Sequence, residues 1–259
     1  MIKSSSTNNM KNQPYLPWDK PTMARKDFII IPLYILVSYI MPLIVFAFSY
    51  ILLLALNLKN ETILEAHITQ IFGSILGSVI ILIVFMALYP KVSFIKLTFD
   101  KLSKVPRYIL LIIATYIVII IATPVYDWLI HFLPKSLQFS VTQNQQSLEQ
   151  LFESHWMLPF VFIDIVILTP IIEELIFRHI LIHELGKKIS YGFATVISVI
   201  AFSSIHVLNA TSPFEIGGYL IIAIGLTLVY LKSDKNLAVS ITLHALINFV
   251  SFITIVCTS

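Results

Sequence analysis

Two adjacent glutamates, Glu173 and Glu174, and one arginine, Arg178, interrupt an otherwise apolar run, Thr169-Pro-Ile-Ile-Glu-Glu-Leu-Ile-Phe-Arg178. A charged side chain at membrane depth costs on the order of 3 kcal/mol on insertion scales, so each such group needs a partner or a task. Helical spacing separates their roles. Glu174 and Arg178 are four apart with the acid N-terminal, a pairing geometry, while Glu173 points about 100° away from its neighbour. Glu174 can pair with Arg178 and leave Glu173 free. Pro170 removes a backbone donor, which frees the carbonyl of Val166 and favours a kink just ahead of the pair. Such a kink can open a wet pocket.

Two further constellations follow: Phe202-Ser-Ser-Ile-His206, and His244-Ala-Leu-Ile-Asn248, whose polar side chains share one helix face. Taken singly, either is more simply a hydrogen bond between packed helices. Counted at about 1.5 Å per residue from the nearest lysines, however, Glu173, His206, His244 and Asn248 all fall within a hydrocarbon slab of about 30 Å. Three helices could therefore present them to one cavity.

The elements that would position them are membrane helices. The 259 residues are 58% hydrophobic and only 12% charged, with a mean hydropathy of +0.89, and several apolar runs exceed the 18 or so residues needed to span hydrocarbon. Spans are expected near 28–56, 67–89, 108–133, 157–186, 190–208, 215–232 and 236–256. The fold class is thus all-α, a polytopic integral membrane protein of about seven transmembrane helices, with eight as the alternative. Basic residues crowd alternate loops: Lys3 to Lys26, Lys91 to Arg107, Lys187 with Lys188, and Lys232 with Lys235. That alternation places the N-terminus in the cytoplasm and the C-terminus outside a cell membrane. It also accounts for the net charge of +3 as topology rather than nucleic-acid binding.

The chain divides into a disordered basic tail over 1–26 with no signal-peptide pattern, three helices over 27–133, an extracytoplasmic loop with a short amphipathic helix over 134–156, and a four-helix functional domain over 157–256. Gly73-Ser-Ile-Leu-Gly77 is a close-packing pattern inside the second span. Cys257 is the single cysteine, so no intramolecular disulfide and no cysteine metal site can form.

The three motifs, in this order, resemble those of the CAAX-protease and bacteriocin-processing (CPBP, or Abi) family of intramembrane glutamic endopeptidases. Glu173-Glu174-Leu-Ile-Phe-Arg178 matches EExxxR, Phe202 to His206 matches FxxxH, and His244 to Asn248 matches HxxxN. The resemblance covers about 157–252 and implies hydrolysis of a peptide bond by activated water; the sequence points to no cofactor and no metal ligand. It implies that Glu173 and His206 activate water, that His244 and Asn248 stabilise the oxyanion, and that Glu174 and Arg178 support them. The implied partner is a peptide or protein substrate reaching the site from the membrane or its interface. Maturation of a secreted peptide, a prenyl-type CAAX substrate and bacteriocin self-immunity are the implied settings.

Other chemistries fit less well. A zinc-dependent peptidase is the first rival, since His179 and His183 are four apart, yet no glutamate follows the first, so HExxH is absent; a wetted helix end explains His183 and Glu184. Ser203 and Ser204 lack a GxSxG turn. Tyr126-Asp127 lacks a GxGD partner, which leaves Asp127 and Asp164 as pore-facing or interfacial acids. A non-proteolytic scaffold or regulator of a partner protein and a proton-coupled transporter are the remaining classes, and replacing Glu173 distinguishes them.

Overall fold

The computed structural model describes residues 16–57 and 66–258. Helix α1 spans Ile30–Ala55, α2 Ala66–Ala87, α3 Phe94–Ser103, α4 Ile109–Ile130 and α5 Gln143–Gln150. A continuous helical run over 158–189 is α6; α7 is Tyr191–Ile205, α8 Ile216–Lys232 and α9 Leu237–Thr258. Among the described residues, five helices are long and apolar enough to cross a membrane, and Tyr191–Ile205 is a shorter apolar helix. The protein is an all-α polytopic membrane protein. Each expected span coincides with a helical run. The differences lie in α6, whose polar cluster interrupts its apolar character, and in α7, whose 15 residues reach only about 22 Å.

Apolar side chains turned outward are what lipid-facing helices require, because hydrocarbon solvates them as well as a protein core would. Leu43, Phe48, Val118 and Ile121 are all well exposed on α1 and α4. Inward, α6 is the central helix. Its Ile172, Leu175 and Ile180 share one core with Phe202 of α7, Leu226 of α8, Leu243 of α9, and Ile81 and Phe85 of α2.

Without a hydrophobic drive between helices in lipid, close approach is set by small residues. A Cβ on Gly73 would stand 2.5 Å from the backbone nitrogen of Pro42, so the Gly73/Gly77 face packs α2 directly on α1. A Cβ on Gly217 would lie 2.0 Å from the Tyr126 ring, so this glycine makes room on α8 for the Tyr126 side chain of α4.

Residues 1–15 of the expected tail lie outside the described residues. From Leu16 onward the chain is packed: Trp18 abuts the central core, and short helical turns form at Pro17–Asp19 and Arg25–Ile29. Buried Asp27 and an aromatic anchor give this segment partners that its polar composition concealed.

Candidate active site

The winding of α6 sets the position of the carboxylates. The backbone follows a π register over Ile163–Leu168 and again over Leu175–Glu184, on either side of an ordinary helical turn at Thr169–Glu174. Such widened turns recur where helices carry functional groups. The Thr169 N–H donates to the carbonyl of Asp164, five residues back. Continued by one residue, that register would pair the carbonyl of Ile165 with residue 170, a proline without an N–H. The Asn248 side-chain amide donates to the Ile165 carbonyl instead, at 2.9 Å. The freed carbonyl is therefore that of Ile165 rather than Val166, because the π turn shifts the pairing by one residue.

One turn on, both glutamates are buried. Glu174 faces Arg178, with Oε1 to Nη1 at 3.2 Å. Arg178 also donates to the carbonyl of Ala223 at 3.3 Å and lies over the Phe202 ring, 4.9 Å from its centroid. His244 inserts between the two acids. Its Nδ1 donates to Glu174 Oε1 at 3.1 Å, while Nε2 stands 3.7 Å from Glu173 Oε2. Glu174, paired with Arg178 as its spacing predicts, thus also orients an imidazole.

His206 comes from the opposite side, at the C-terminal cap of α7 rather than within the helix. Its Nδ1 donates to the Phe202 carbonyl at 2.8 Å, which leaves Nε2 carrying the lone pair of the neutral ring. That Nε2 lies 4.0 Å from Glu173 Oε2. The ring is held between Phe202, at 4.7 Å, and Tyr219, also at 4.7 Å and nearly parallel. Glu173 Oε2 has no hydrogen-bond partner among the described residues, although two imidazole Nε2 atoms converge on it. Those separations are too long for direct hydrogen bonds and suit one small polar species shared among the three side chains.

Residues 155–250 match the family described as Type II CAAX prenyl endopeptidase Rce1-like. Over these residues the chain is similar to CAAX proteases. No curated protein and no solved structure matches the chain. The matched stretch contains all six residues singled out from the sequence; the fold brings Glu173, Glu174, Arg178, His206 and His244 together, while Asn248, one turn on from His244, bonds the Ile165 carbonyl.

Outside the matched segment, α1 and α2 complete the surroundings of Glu173. A cavity of about 150 Å³ borders it, lined in part by Tyr34 and Ser38 of α1 and by Gln70, Ser74 and Ser78 of α2. Asp164, expected at a pore or interface, is buried beside this wall and accepts from Ser74 Oγ at 2.8 Å. Gln70, Ser74 and Ser78 recur every fourth residue, one helix face; that spacing was the available sequence signal. Residues 134–156 also reach the site. Tyr219, stacked on His206, meets Thr142 Oγ1 at 3.1 Å and Asn144 Nδ2 at 3.1 Å, and the Gln143 N–H donates to Glu215 at 2.8 Å.

A second polar cluster lies toward the other end of α6, where the sequence pointed to a wetted helix end. Donor atoms of Asp27, His179 and Glu184 lie within 4.8 Å of one another, a spacing that could hold a metal ion. Every carboxylate there already has donors. His179 Nε2 donates to Asp27 at 2.9 Å, and Tyr89 donates to the other Asp27 oxygen. Ala24 N–H and Lys187 Nζ each approach Glu184 at 2.6 Å, and Lys187 and His183 both donate to the Trp18 carbonyl. The Lys187 ammonium supplies the positive charge that a metal would bring. The donor set therefore fits an anchor for the 16–29 segment, and fully buried Glu184 is one of its posts rather than a solvated end.

Proposed function

We propose that this protein is an intramembrane glutamic endopeptidase whose nucleophile is water held between Glu173 and His206. The observation carrying this reading is the convergence of the His206 and His244 Nε2 atoms, at 4.0 and 3.7 Å, on the unpartnered buried oxygen of Glu173. A water there donates one hydrogen to Glu173 and one to the His206 lone pair. Glu173 takes the proton as oxygen attacks the peptide carbonyl carbon, and general-base assistance of this kind contributes about 10²- to 10⁴-fold. Collapse of the tetrahedral intermediate breaks the C–N bond, and the proton passes to the departing amine.

The developing oxyanion needs fixed donors, each worth about 3 kcal/mol in comparable hydrolases. His244 can donate from Nε2 when both of its ring nitrogens carry protons. Asn248, with one amide hydrogen on Ile165, keeps its second for substrate. Glu174 and Arg178 fix the His244 ring through Nδ1. The basic loops support an N-terminus in the cytoplasm and a C-terminus outside. A hydrophobic or leader-bearing peptide, a prenyl-type CAAX protein and a role in bacteriocin self-immunity are the settings that family resemblance supports.

Mass spectrometry of membrane and secreted peptides from cells carrying wild type or Glu173→Ala tests the proposal. A product present with wild type and absent with the variant names the substrate. Identical peptide sets from normally inserted variant and wild type would remove the hydrolytic reading and leave a scaffold.

A further inference from the structure

A larger cavity, about 480 Å³, lies between α3 and the bundle, within the range of about 300 to 1,000 Å³ usual for small-molecule sites. Leu82 and Phe85 of α2, Leu97 of α3, Leu175 of α6 and Leu237 and Ile241 of α9 supply apolar walls. Glu173, His206 and His244 are not in its lining. Helix α6 divides the two spaces, with Ile171 and Leu175 on this side and Ile172 and Glu173 on the other. The walls from α2 and α3 lie outside the segment that matches the protease family.

What fills such a space follows from the helix that roofs it. On α3, Phe94, Leu97 and Lys101 turn toward the cavity, at the i, i+3, i+7 spacing of one face. Ile95 and Phe99 turn away and are 74% and 71% exposed. A short helix flanked by lysines, with large apolar residues on its free face, lies in the interfacial plane of a bilayer. The cavity is therefore roofed by a helix whose outer side is suited to face lipid. At its mouth stand Lys101 and Lys235, with Asp19 and Asp234. Lys96, Arg107 and Lys232 border the same end in sequence, while Lys104 is occupied by Asp100 at 2.7 Å. The lining thus holds two lysines and two aspartates, and both acids accept hydrogen bonds, Asp19 from the Leu16 N–H at 3.0 Å and Asp234 from the Tyr108 hydroxyl at 3.4 Å. Lys235 rests its ammonium 3.4 Å above the Tyr191 ring, an arrangement that leaves N–H groups free to donate.

We propose that this cavity is a lipid site that takes one hydrocarbon chain of an anionic phospholipid from the adjoining leaflet, with the phosphate held by Lys101 and Lys235. The apolar walls accept the chain, and the two lysine ammonium groups supply charge-assisted hydrogen bonds to phosphate. The site is independent of peptide hydrolysis and makes no use of Glu173.

Trp18 lines one end of the cavity and is one of three tryptophans, which gives a direct readout. In a Trp128→Phe, Trp156→Phe background, purified full-length protein in nonionic detergent is titrated with lysophosphatidylglycerol bearing a brominated octadecanoyl chain, a quencher at short range. The expected result is saturable quenching of Trp18, half-complete at a concentration at least 10-fold lower than for the brominated lysophosphatidylcholine. Replacing both lysines by glutamine should remove that 10-fold preference. Ala238→Phe, which fills the cavity from α9, should abolish saturation, and Leu97→Phe does the same from α3 if the first variant fails to fold. Quenching that rises linearly with lipid content, or is equal for the two headgroups, or persists in folded filled-cavity variants, would overturn the site.

Discussion

Asn248 donates its side-chain amide to the carbonyl of Ile165 at 2.9 Å, in the place of the N–H that Pro170 lacks. Helix α9 thereby closes a defect in α6. Replacing Asn248 by alanine should leave a half-buried carbonyl unpaired and cost about 1 kcal/mol, the usual net worth of one hydrogen bond. Pro170→Ala restores a backbone donor to α6, so the two changes should not be additive. Thermal unfolding of the four proteins of this cycle in detergent checks it: the Asn248→Ala loss should shrink in the Pro170→Ala background. Equal losses in both backgrounds would disconnect the two residues.

The paired acids separate by experiment as they do by geometry. Glu173→Gln removes the carboxylate that faces both imidazoles yet leaves the Arg178 pair intact, so cleavage should fall at least about 100-fold with the unfolding temperature nearly unchanged. Glu174→Gln instead leaves Arg178 buried without a counter-charge, a loss of about 3 to 5 kcal/mol. It should lower stability first, and activity with it. Unfolding temperature and turnover measured side by side distinguish the two, and a stable Glu174→Gln protein would contradict the assignment.

Much of this arrangement was legible because membrane solvation makes polar residues conspicuous. Glu173, Glu174, Arg178, His206, His244 and Asn248 stood out against apolar runs, and helical spacing predicted the Glu174 and Arg178 contact found at 3.2 Å. Three features were hidden. The π winding of α6 depends on which carbonyl finds a tertiary partner, and periodicity at 3.6 residues per turn has no means of showing it. The wall built by Ser38, Gln70 and Ser74 uses small polar residues that read as ordinary packing. The Asp27 anchor joins positions 152 residues apart, and its acid sits next to a basic tail whose composition alone suggests disorder.

Tyr219 and His206 stack with ring centroids 4.7 Å apart, and the Tyr219 hydroxyl is tied to Thr142 and Asn144 of the loop that precedes α6. The ring and the hydroxyl therefore have separable duties. Tyr219→Phe keeps the stack and should retain most activity. Tyr219→Leu frees the imidazole, and a misplacement of about 1 Å is enough to cost up to about 100-fold in rate. Once a substrate is in hand, turnover of both variants at saturating substrate gives the answer. Equal turnover in both would detach the stack from His206 alignment.

The Asp27, His179 and Glu184 cluster makes opposite predictions for an anchor and for a metal site. As an anchor, its strength is the set of donors already counted: His179 and Tyr89 on Asp27, and Ala24 and Lys187 on Glu184. Asp27→Ala strands two of those donors in a buried place, at about 1 to 3 kcal/mol each, whereas Asp27→Asn still offers one acceptor and should lose less. Lys187→Met leaves Glu184 as an uncompensated buried charge and should cost about 3 to 5 kcal/mol. A chelator should leave the unfolding temperature of the wild type where it was, because an ammonium already supplies the positive charge. A metal site predicts the reverse, with chelation lowering the unfolding temperature and Lys187→Met improving metal affinity by removing a competing cation. Thermal scans of wild type and the three variants, with and without chelator and added zinc, decide between them.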